Sequence, residues 1–398
     1  MNRLVVFNGR LILPDGTVAE DKVLICSSGK IEGIIDEKDY VSEPYDEVID
    51  AGRNYVTPGF IDLHVHGGGG HDFMDGTIEA FLGAARAHAK HGTTSMIPTT
   101  LTCPDEELFR SFEVFREANL QNEDGAQMLG LHLEGPYFNP KQAGAQDPLY
   151  LRNPSPEHYN EILEKGADVI SRWSAAVELD GINGFAEALR KHGIIASVAH
   201  TTASCDQVIA AHKSGFSLMT HFYSAMSSVT KRNSLRHAGA VEAAYLLDDM
   251  AVEIIADGIH LPKALLQFAY KFKGPRKTAL CTDAMRGAGM PDGVYNLGSL
   301  AKGQPVRVED GMAKLMDKQA LAGSVCTADR LIRTMVELAE VPLSDAVMMM
   351  TWTPASILGI QDRKGSLAVG LDADLVIFDE KINIHNTIVA GKVIYSMS

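Results

Sequence analysis

Eight short apolar segments recur along the middle of this 398-residue chain, and helical patterns lie between most of them. Repeated strand–helix units are typical of a parallel sheet covered by helices. Eight units within about 230 residues favour one α/β architecture, the closed (β/α)8 or TIM barrel. The predicted strands are 59–66, 95–100, 128–135, 172–178, 194–200, 216–221, 252–257 and 278–283. The clearest predicted helices are 77–91, 105–119, 184–191, 203–212, 262–272, 327–339 and 344–358.

The two ends of the chain differ from the middle. Short β-rich runs occupy 4–12, 22–26 and 30–35, and again 374–378, 386–390 and 393–395. We therefore expect a small β-sheet domain built from both termini, comprising 1–56 with 363–398. The barrel domain then spans 57–362, and a long loop over 284–322 follows its eighth strand.

Composition disfavours some classes of function. Lys and Arg number 36 against 51 Asp and Glu, which gives a net charge of −15. Such an acidic chain is poorly suited to binding nucleic acid or an anionic membrane. Five scattered cysteines without a CxxC pair are typical of reduced thiols. The N-terminal run lacks the apolar core of a signal peptide, and no apolar run approaches the ~18 residues of a membrane helix. We expect a soluble cytoplasmic enzyme.

Polar residues that can bind a metal or move protons end most of the predicted strands. They are His64, His66, Glu134, Glu178, His200, His221, Asp257 and Asp283. The C-terminal ends of all strands meet at one mouth of a barrel, so these side chains are expected to converge there. Residues i and i+2 of a strand share a face, so His64 and His66 point the same way. Histidine and carboxylate ligands suit Zn²⁺ or another divalent transition metal.

The remaining histidines receive a different interpretation. The helical patterns carry four that are expected to be exposed or structural: His88, His91, His192 and His212. His132 shares a strand face with Glu134. We expect it to support a ligand rather than to bind metal itself.

Longer stretches carry a family resemblance. They are PGFIDLHVHGGGG (58–70), GTTSMIPT (92–99), LGLHLEGPYFNPKQAGA (129–145), VAHTTAS (198–204), THFYSAM (220–226), IADGIHLP (255–262), LCTDAM (280–285), LAGS (321–324), TPASILG (353–359) and KGSLAVGLDADLVIFD (364–379). With these stretches the chain resembles the amidohydrolase superfamily, and within it the N-acetylglucosamine-6-phosphate deacetylases. The resemblance covers nearly the whole chain and implies a barrel with a small β-sandwich, in agreement with the strand pattern.

The resemblance implies a metal centre. Glu134, His200 and His221 match the ligands of the metal common to the family. His64 and His66 match the positions that hold a second metal, with Glu134 as the bridging ligand. One or two ions per subunit are therefore expected. Zn²⁺ is the favoured ion, and Fe²⁺, Mn²⁺ and Co²⁺ are alternatives.

The activity implied by the resemblance is hydrolysis of the acetamide of N-acetyl-D-glucosamine 6-phosphate to glucosamine 6-phosphate and acetate. The metal would supply bound hydroxide as the nucleophile and would polarise the carbonyl. Asp283 matches the family's general base and acid, which takes the water proton and returns it to the sugar nitrogen. The oxyanion would rest on the metal, with a nearby histidine such as His132 assisting.

The resemblance also implies substrate positions. Arg232 and His260 match residues that contact phosphate and sugar, and the backbone at Ser224 and Ala225 matches a phosphate contact. The other positions assigned to the pocket are Ala145, Gln146, Leu321, Ala322 and Gly323. The family forms homodimers, so Arg232 is expected to act either in its own site or in that of the neighbouring subunit.

Two departures from the family pattern leave the exact sugar open. Ser224 stands where Asn is common, and Gln146 stands where His is common. N-acetylgalactosamine 6-phosphate is therefore an alternative substrate. A cyclic-amide amidohydrolase is disfavoured, because such enzymes usually bridge two metals with a carboxylated Lys where this chain has Glu134. A non-enzymatic sugar sensor is disfavoured by Asp283, which a pure binding protein would not need.

Overall fold

In a computed structural model that describes residues 3–43, 46–316 and 320–397, eight parallel strands form a nearly closed barrel. In chain order they are Phe60–Val65, Thr93–Thr100, Leu131–Glu134, Ile170–Ala175, Ile195–Val198, Phe216–Met219, Ala251–Ile254 and Thr278–Leu280. Consecutive strands are neighbours around the ring. The first and eighth meet just beyond the eighth strand, where Asp283 N donates to the His64 carbonyl at 2.8 Å. The predicted TIM-barrel class is confirmed.

Helices connect the strands. The α-helices are Ile78–Ala89, Asp105–Gln121, Pro156–Gly166, Ile182–Lys191, Cys205–Ser214, Ala240–Leu246, Lys263–Lys273, Ala328–Glu337, Leu343–Met350 and Trp352–Ile357, and the short 3₁₀ turns are Glu37–Asp39, Phe73–Asp75, Pro140–Gln142 and Pro148–Tyr150. The predicted helix 344–358 is wrong as a single helix, because Pro354 lacks the N–H that would bond to residue 350. Across the described parts of the chain, no helix has both the length and the apolar character that a membrane crossing requires.

Both termini contribute to one small β domain, as predicted. Its strands are Arg3–Ile12, Val18–Ser27, Lys30–Asp36, Asp46–Asp50, Tyr55–Pro58, Leu375–Phe378, Ile384–Val389 and Lys392–Ser396. They form a single mixed sheet, in which Tyr55–Pro58 pairs antiparallel with Leu375–Phe378 and so joins the two ends of the chain. The first of these two strands runs across the predicted boundary at 56–57, so the exact division into domains stays a prediction.

A three-stranded antiparallel sheet lies within the segment predicted as a long loop, which makes the loop prediction wrong for much of 284–322. Its strands are Gly293–Leu297, Gln304–Glu309 and Met312–Leu315. Val306 and Val308 are buried while Arg307 and Glu309 are exposed, which is the alternation of a half-buried strand. The remaining short strands are Gly67–Gly68, His71–Asp72, Gln127–Met128, Thr230–Arg232 and Leu235–His237.

Stability below neutral pH should depend on His88, which is buried and donates from Nε2 to the Gly67 carbonyl at 2.9 Å. Burial lowers its pKa to about 4. A group with a depressed pKa in the folded protein takes up its proton more readily when unfolded. The free energy of unfolding should therefore fall by roughly 3 kcal/mol between pH 6.5 and pH 4 because of this one residue. Urea unfolding of the metal-stripped protein across that window measures the loss.

His88→Gln should remove this part of the pH dependence. His192→Gln, at an exposed position after a helix end, is the matched control and should follow the wild-type pH profile. Parallel pH profiles for wild type and His88→Gln would contradict the assignment.

Candidate metal centre and active site

The strand ends bring a dense set of ligand-type side chains together at one mouth of the barrel. All are buried, and they are His64, His66, Glu134, His200, His221 and Asp283. Glu134 lies among the others: its Oε1 is 3.2 Å from His200 Nε2 and 3.0 Å from His221 Nε2. Its Oε2 is 3.2 Å from His66 Nε2, and Asp283 Oδ1 is 3.1 Å from the same nitrogen.

Three of these residues have a left-handed backbone. The φ angles of His200, His221 and Asp283 are 46°, 31° and 47°, a conformation that costs a non-glycine residue about 1–3 kcal/mol. Neighbouring hydrogen bonds hold it in place: Ser324 N donates to the Asp283 carbonyl at 2.7 Å, and His221 N donates to Glu253 Oε1 at 3.1 Å. Strain retained at three strand ends is typical of a functional site.

The hydrogen-bond partners of the histidines fix which nitrogen carries the proton. Three of the rings have Nδ1 beside a group that can only accept: His64 with Glu253 Oε1 (3.0 Å), His66 with the Thr99 carbonyl (3.2 Å) and His200 with the Gln142 carbonyl (2.7 Å). Nδ1 must therefore be the donor in each, which leaves a lone pair on Nε2. The Nε2 atoms of His64 and His66 lie 3.2 Å apart, as do those of His200 and His221. Facing nitrogens of this kind need a proton or a metal cation between them.

The donor set fits divalent metals. Two groups of buried ligand atoms are compact, Glu134 with His200 and His221, and Glu134 with His64 and His66. Imidazole and carboxylate ligands suit Zn²⁺, Fe²⁺, Mn²⁺ and Co²⁺. A third compact group joins His64 and Glu253 to Cys281. It is not suited to a metal, because Arg172 already occupies both carboxylate oxygens of Glu253, at 2.5 and 2.8 Å.

The carboxylates of the cluster favour the binding of positive charge. Burial lowers the pKa of His64, but the carboxylates of Asp283 and Glu134 outweigh it and raise that pKa to about 9. Burial raises the pKa of Asp283, yet His64 and His66 hold it below its usual value. The cluster therefore attracts either protons or a metal cation, and a bound cation would replace the protons.

A cavity of about 280 Å³ opens above this cluster and is large enough for one small ligand. Besides the ligand-type residues, its walls are Leu101, Gly144, Ala145, Gln146, Ser224, Ala225, Ile255, His260, Leu297, Leu321 and Gly323. His260 Nδ1 donates to Asp257 Oδ2 at 2.8 Å. Asp257, which ends its predicted strand, thus orients a pocket histidine and lies outside the metal cluster.

Gln146 lines the cavity, but its side chain faces the metal cluster and not the sugar space. Its Nε2 donates to Glu134 Oε2 at 2.7 Å, and its Oε1 accepts from Thr102 N at 2.8 Å. Both polar ends of the amide are therefore occupied. The side chain therefore holds the central carboxylate, and the assignment of Gln146 to the substrate stays a prediction.

Two residues assigned to the substrate do not line the cavity, Ala322 and Arg232. Ala322 is buried in the apolar core of the three-stranded sheet, with Val306 and Leu315. Arg232 is exposed on the hairpin Thr230–Arg232 and Leu235–His237. An assignment of Arg232 to its own pocket therefore does not fit this chain taken alone.

His132 and Glu178, both from predicted strand ends, do not line the cavity. His132 is fully buried, with Nε2 at 2.7 Å from Ser174 Oγ, and it does not line the cavity, so it cannot assist an oxyanion there. Glu178 accepts from Thr202 N at 2.6 Å and from Asn139 Nδ2 at 2.9 Å, and lies outside the metal cluster.

Some residues of the cavity wall were not predicted from the sequence. Leu101 and Leu297 contribute apolar surface to the cavity. Leu297 belongs to the three-stranded sheet, whose Gln304 donates to the Ala145 carbonyl at 2.8 Å. The period-two alternation over 304–309 was the signal that could have revealed this sheet.

A barrel with histidine and carboxylate side chains at its strand ends is the arrangement predicted for an amidohydrolase. Comparison with known proteins gives the same class. Residues 55–394 match the model of the amidohydrolase family, and the chain belongs to that family. An N-acetylglucosamine-6-phosphate deacetylase of Bacillus subtilis is 34% identical over 96% of this chain and 95% of the relative. An N-acetylgalactosamine-6-phosphate deacetylase of Escherichia coli O157:H7 is 30% identical over 97% and 98%. The crystal structure of the Pasteurella multocida N-acetylglucosamine-6-phosphate deacetylase superposes with a TM-score of 0.91 at 30% identity, covering 99% of this chain and 100% of that one.

Proposed function

We propose that this protein hydrolyses the acetamide of N-acetyl-D-glucosamine 6-phosphate to glucosamine 6-phosphate and acetate. The observation that carries the proposal is the buried cluster of Glu134, four histidines and Asp283 at the floor of a cavity sized for one sugar. The deacetylase relatives support the same reaction, since they match nearly the full length of the chain.

The histidines and Glu134 would be the metal ligands. Glu134, His200 and His221 would hold one divalent cation, and His64 and His66 with Glu134 would hold a second. We favour Zn²⁺, with Fe²⁺, Mn²⁺ or Co²⁺ as alternatives. When bound, the cation supplies an activated water and a Lewis acid for the acetamide carbonyl.

Asp283 moves the proton in this proposal. It takes a proton from the attacking water while the new C–O bond forms, and returns it to the sugar nitrogen as the C–N bond breaks. The products are acetate and the free amine. His260 donates to Asp257 through Nδ1, so its Nε2 is free to accept from a sugar hydroxyl.

The phosphate group requires a cation that this chain does not place in its own cavity. Among the described residues that line the cavity, none is Arg or Lys. A phosphate dianion is bound best by Arg, and Arg232 stands exposed on its hairpin beside Leu235. We infer a homodimer in which the hairpin of one subunit brings Arg232 to the pocket of the other and covers the exposed leucine.

The C4 epimer of the sugar is the second candidate. The galactosamine-type relative aligns over the same length as the glucosamine-type relative. Ser224 lines the cavity at a position where Asn is common in the family. N-acetyl-D-galactosamine 6-phosphate therefore stays the alternative substrate.

The proposed location is the cytoplasm. All five cysteines lie in described ranges and none is paired, which fits a reducing compartment. The proposed substrate carries a phosphate dianion, which does not cross a bilayer unaided.

Acetate release from glucosamine and galactosamine derivatives, each with and without the 6-phosphate, tests the proposal. We expect the highest kcat/KM with N-acetyl-D-glucosamine 6-phosphate. Arg232→Ala should raise KM for phosphorylated substrates about tenfold or more and leave the others unchanged. Arg236→Ala, on the same exposed hairpin, is the matched control.

Mixing the variants tests action across the dimer. After subunit exchange, Arg232→Ala and Asp283→Asn protein should regain up to roughly a quarter of the wild-type sites, because one site of each hybrid is intact. The absence of acetate release from every substrate would refute the proposed function. Equal kcat/KM with and without phosphate would refute the role of Arg232.

A further inference from the structure

Beneath the metal cluster, the barrel interior holds an ion pair between Arg172 of the fourth strand and Glu253 of the seventh. Arg172 Nη1 donates to Glu253 Oε2 at 2.5 Å, and Nη2 donates to Oε1 at 2.8 Å. Both side chains are fully buried. The proposed reaction uses neither residue. Because a buried ion pair often adds no net stability over apolar packing, its contacts are the better guide to its role.

Glu253 contacts both halves of the cluster. Its Oε1 accepts from His64 Nδ1 at 3.0 Å and from the backbone N of His221 at 3.1 Å. An ionised carboxylate has no hydrogen to donate, so His64 must carry its proton on Nδ1 and present a lone pair on Nε2. His66 and His200 are oriented by backbone carbonyls instead. His64 is thus the ring whose orientation depends on a replaceable side chain.

Arg172 fixes the carboxylate from below. Its Nε donates to Ser197 Oγ at 2.9 Å and its Nη2 to Thr220 Oγ1 at 2.6 Å, so the guanidinium is held by one side chain of the fifth strand and one that directly follows the sixth. With Arg172 so anchored, Glu253 has one geometry. A methionine at position 253 would remove this acceptor, so nothing would hold the ring proton on Nδ1. The proton would then be free to sit on Nε2, where it blocks that nitrogen as a ligand.

We propose that Glu253, held by Arg172, is a positioning residue that fixes His64 as a ligand and thereby gives the His64–His66–Glu134 half-site its affinity for a second cation. The inference rests on the proposed function, because the cation concerned is that of the deacetylase centre. Residues that orient a metal-binding histidine typically change metal affinity by about 10- to 100-fold when replaced.

The test measures Zn²⁺ binding directly. Zn²⁺ per subunit is counted by elemental analysis, and the Kd of each ion is obtained by competition with a chelator. The wild type should bind two ions. Glu253→Met should bind the first ion within about threefold of wild type and the second roughly 10- to 100-fold more weakly. Arg172→Met combined with Glu253→Met should give the same result without leaving an unpaired buried cation, and so covers the case in which the single variant does not fold.

Ser197→Ala is the matched control. It removes another partner of Arg172 in the same buried layer and touches no ligand. It should lower the Tm of the metal-free protein and leave both Zn²⁺ affinities unchanged.

Three results separate this inference from the proposed function. Equal weakening of both ions, or wild-type affinity for both, in the folded double variant would overturn the role of Glu253. A wild type that releases acetate with a single bound ion would overturn it as well, while leaving the deacetylase proposal intact. A wild type that binds two ions but releases no acetate would refute the deacetylase activity alone, and a selective loss of the second ion in the variants would still support the positioning role.

Discussion

Asp283→Asn should lower kcat for acetate release by about 10³-fold, because the amide keeps the shape of the side chain but cannot take the water proton. Asp283 is only 7% exposed, at the floor of the cavity, and its Oδ1 lies 3.1 Å from His66 Nε2 and 3.4 Å from His64 Nε2. The amide oxygen can keep these contacts, so the ions should stay bound. Turnover and ion content are measured on the same preparation.

Asp374→Asn is the control for loss of a buried carboxylate. Asp374 forms an ion pair with Lys364, and its carbonyl accepts from Gly59 N just before the first barrel strand, at the opposite end of that strand from His64. This variant should have a lower Tm and a kcat close to wild type. An Asp283→Asn enzyme with full ion content and turnover within about tenfold of wild type would remove Asp283 from the proton-transfer role.

Glu134→Gln should strip the centre of metal and lower turnover by at least about 10³-fold. Each oxygen of Glu134 faces a different half-site: Oε1 faces His200 and His221, and Oε2 faces His66. An amide keeps one oxygen and turns two hydrogens toward nitrogens that present lone pairs, which leaves at least one half-site without its shared ligand. Metal content after dialysis and acetate release are the two measurements.

Glu178→Gln provides the comparison for Glu134. It also replaces a carboxylate at a strand end, but one that accepts from Thr202 and Asn139 and has no contact with the cluster. We expect full metal content and a loss of turnover below about tenfold. Retention of both ions and of near-normal turnover in Glu134→Gln would place the metal centre elsewhere.

The barrel and the centre could be predicted because both follow local rules. Apolar runs of strand length, separated by helical periodicity, require a parallel sheet, and the strand ends of a barrel share one mouth. Residues as distant in sequence as His64 and Asp283 are therefore expected to meet. A local signal was also present for the helix Pro156–Gly166, which was not predicted: Ser155 is its N-cap and Pro156 its first residue.

Other features depend on parts of the chain that no local pattern connects. The side chain of Gln146 reaches Glu134 because the 3₁₀ turns that flank it return the backbone to the barrel mouth. Such a path is set by tertiary packing and not by the spacing of residues. Arg232 lies on an exposed hairpin, so its working partner would be contributed by a second chain.

The ring of strands is closed by the same stretch of chain that forms the active centre. Asp283 N bonds the His64 carbonyl, and His66 N bonds the Ala284 carbonyl, so the last seam of the cylinder runs directly beside the ligands. A cation that binds the folded chain and not the unfolded one stabilises it by mass action. Here that stabilisation would act at the seam itself, so a bound cation would also hold the ring of strands closed.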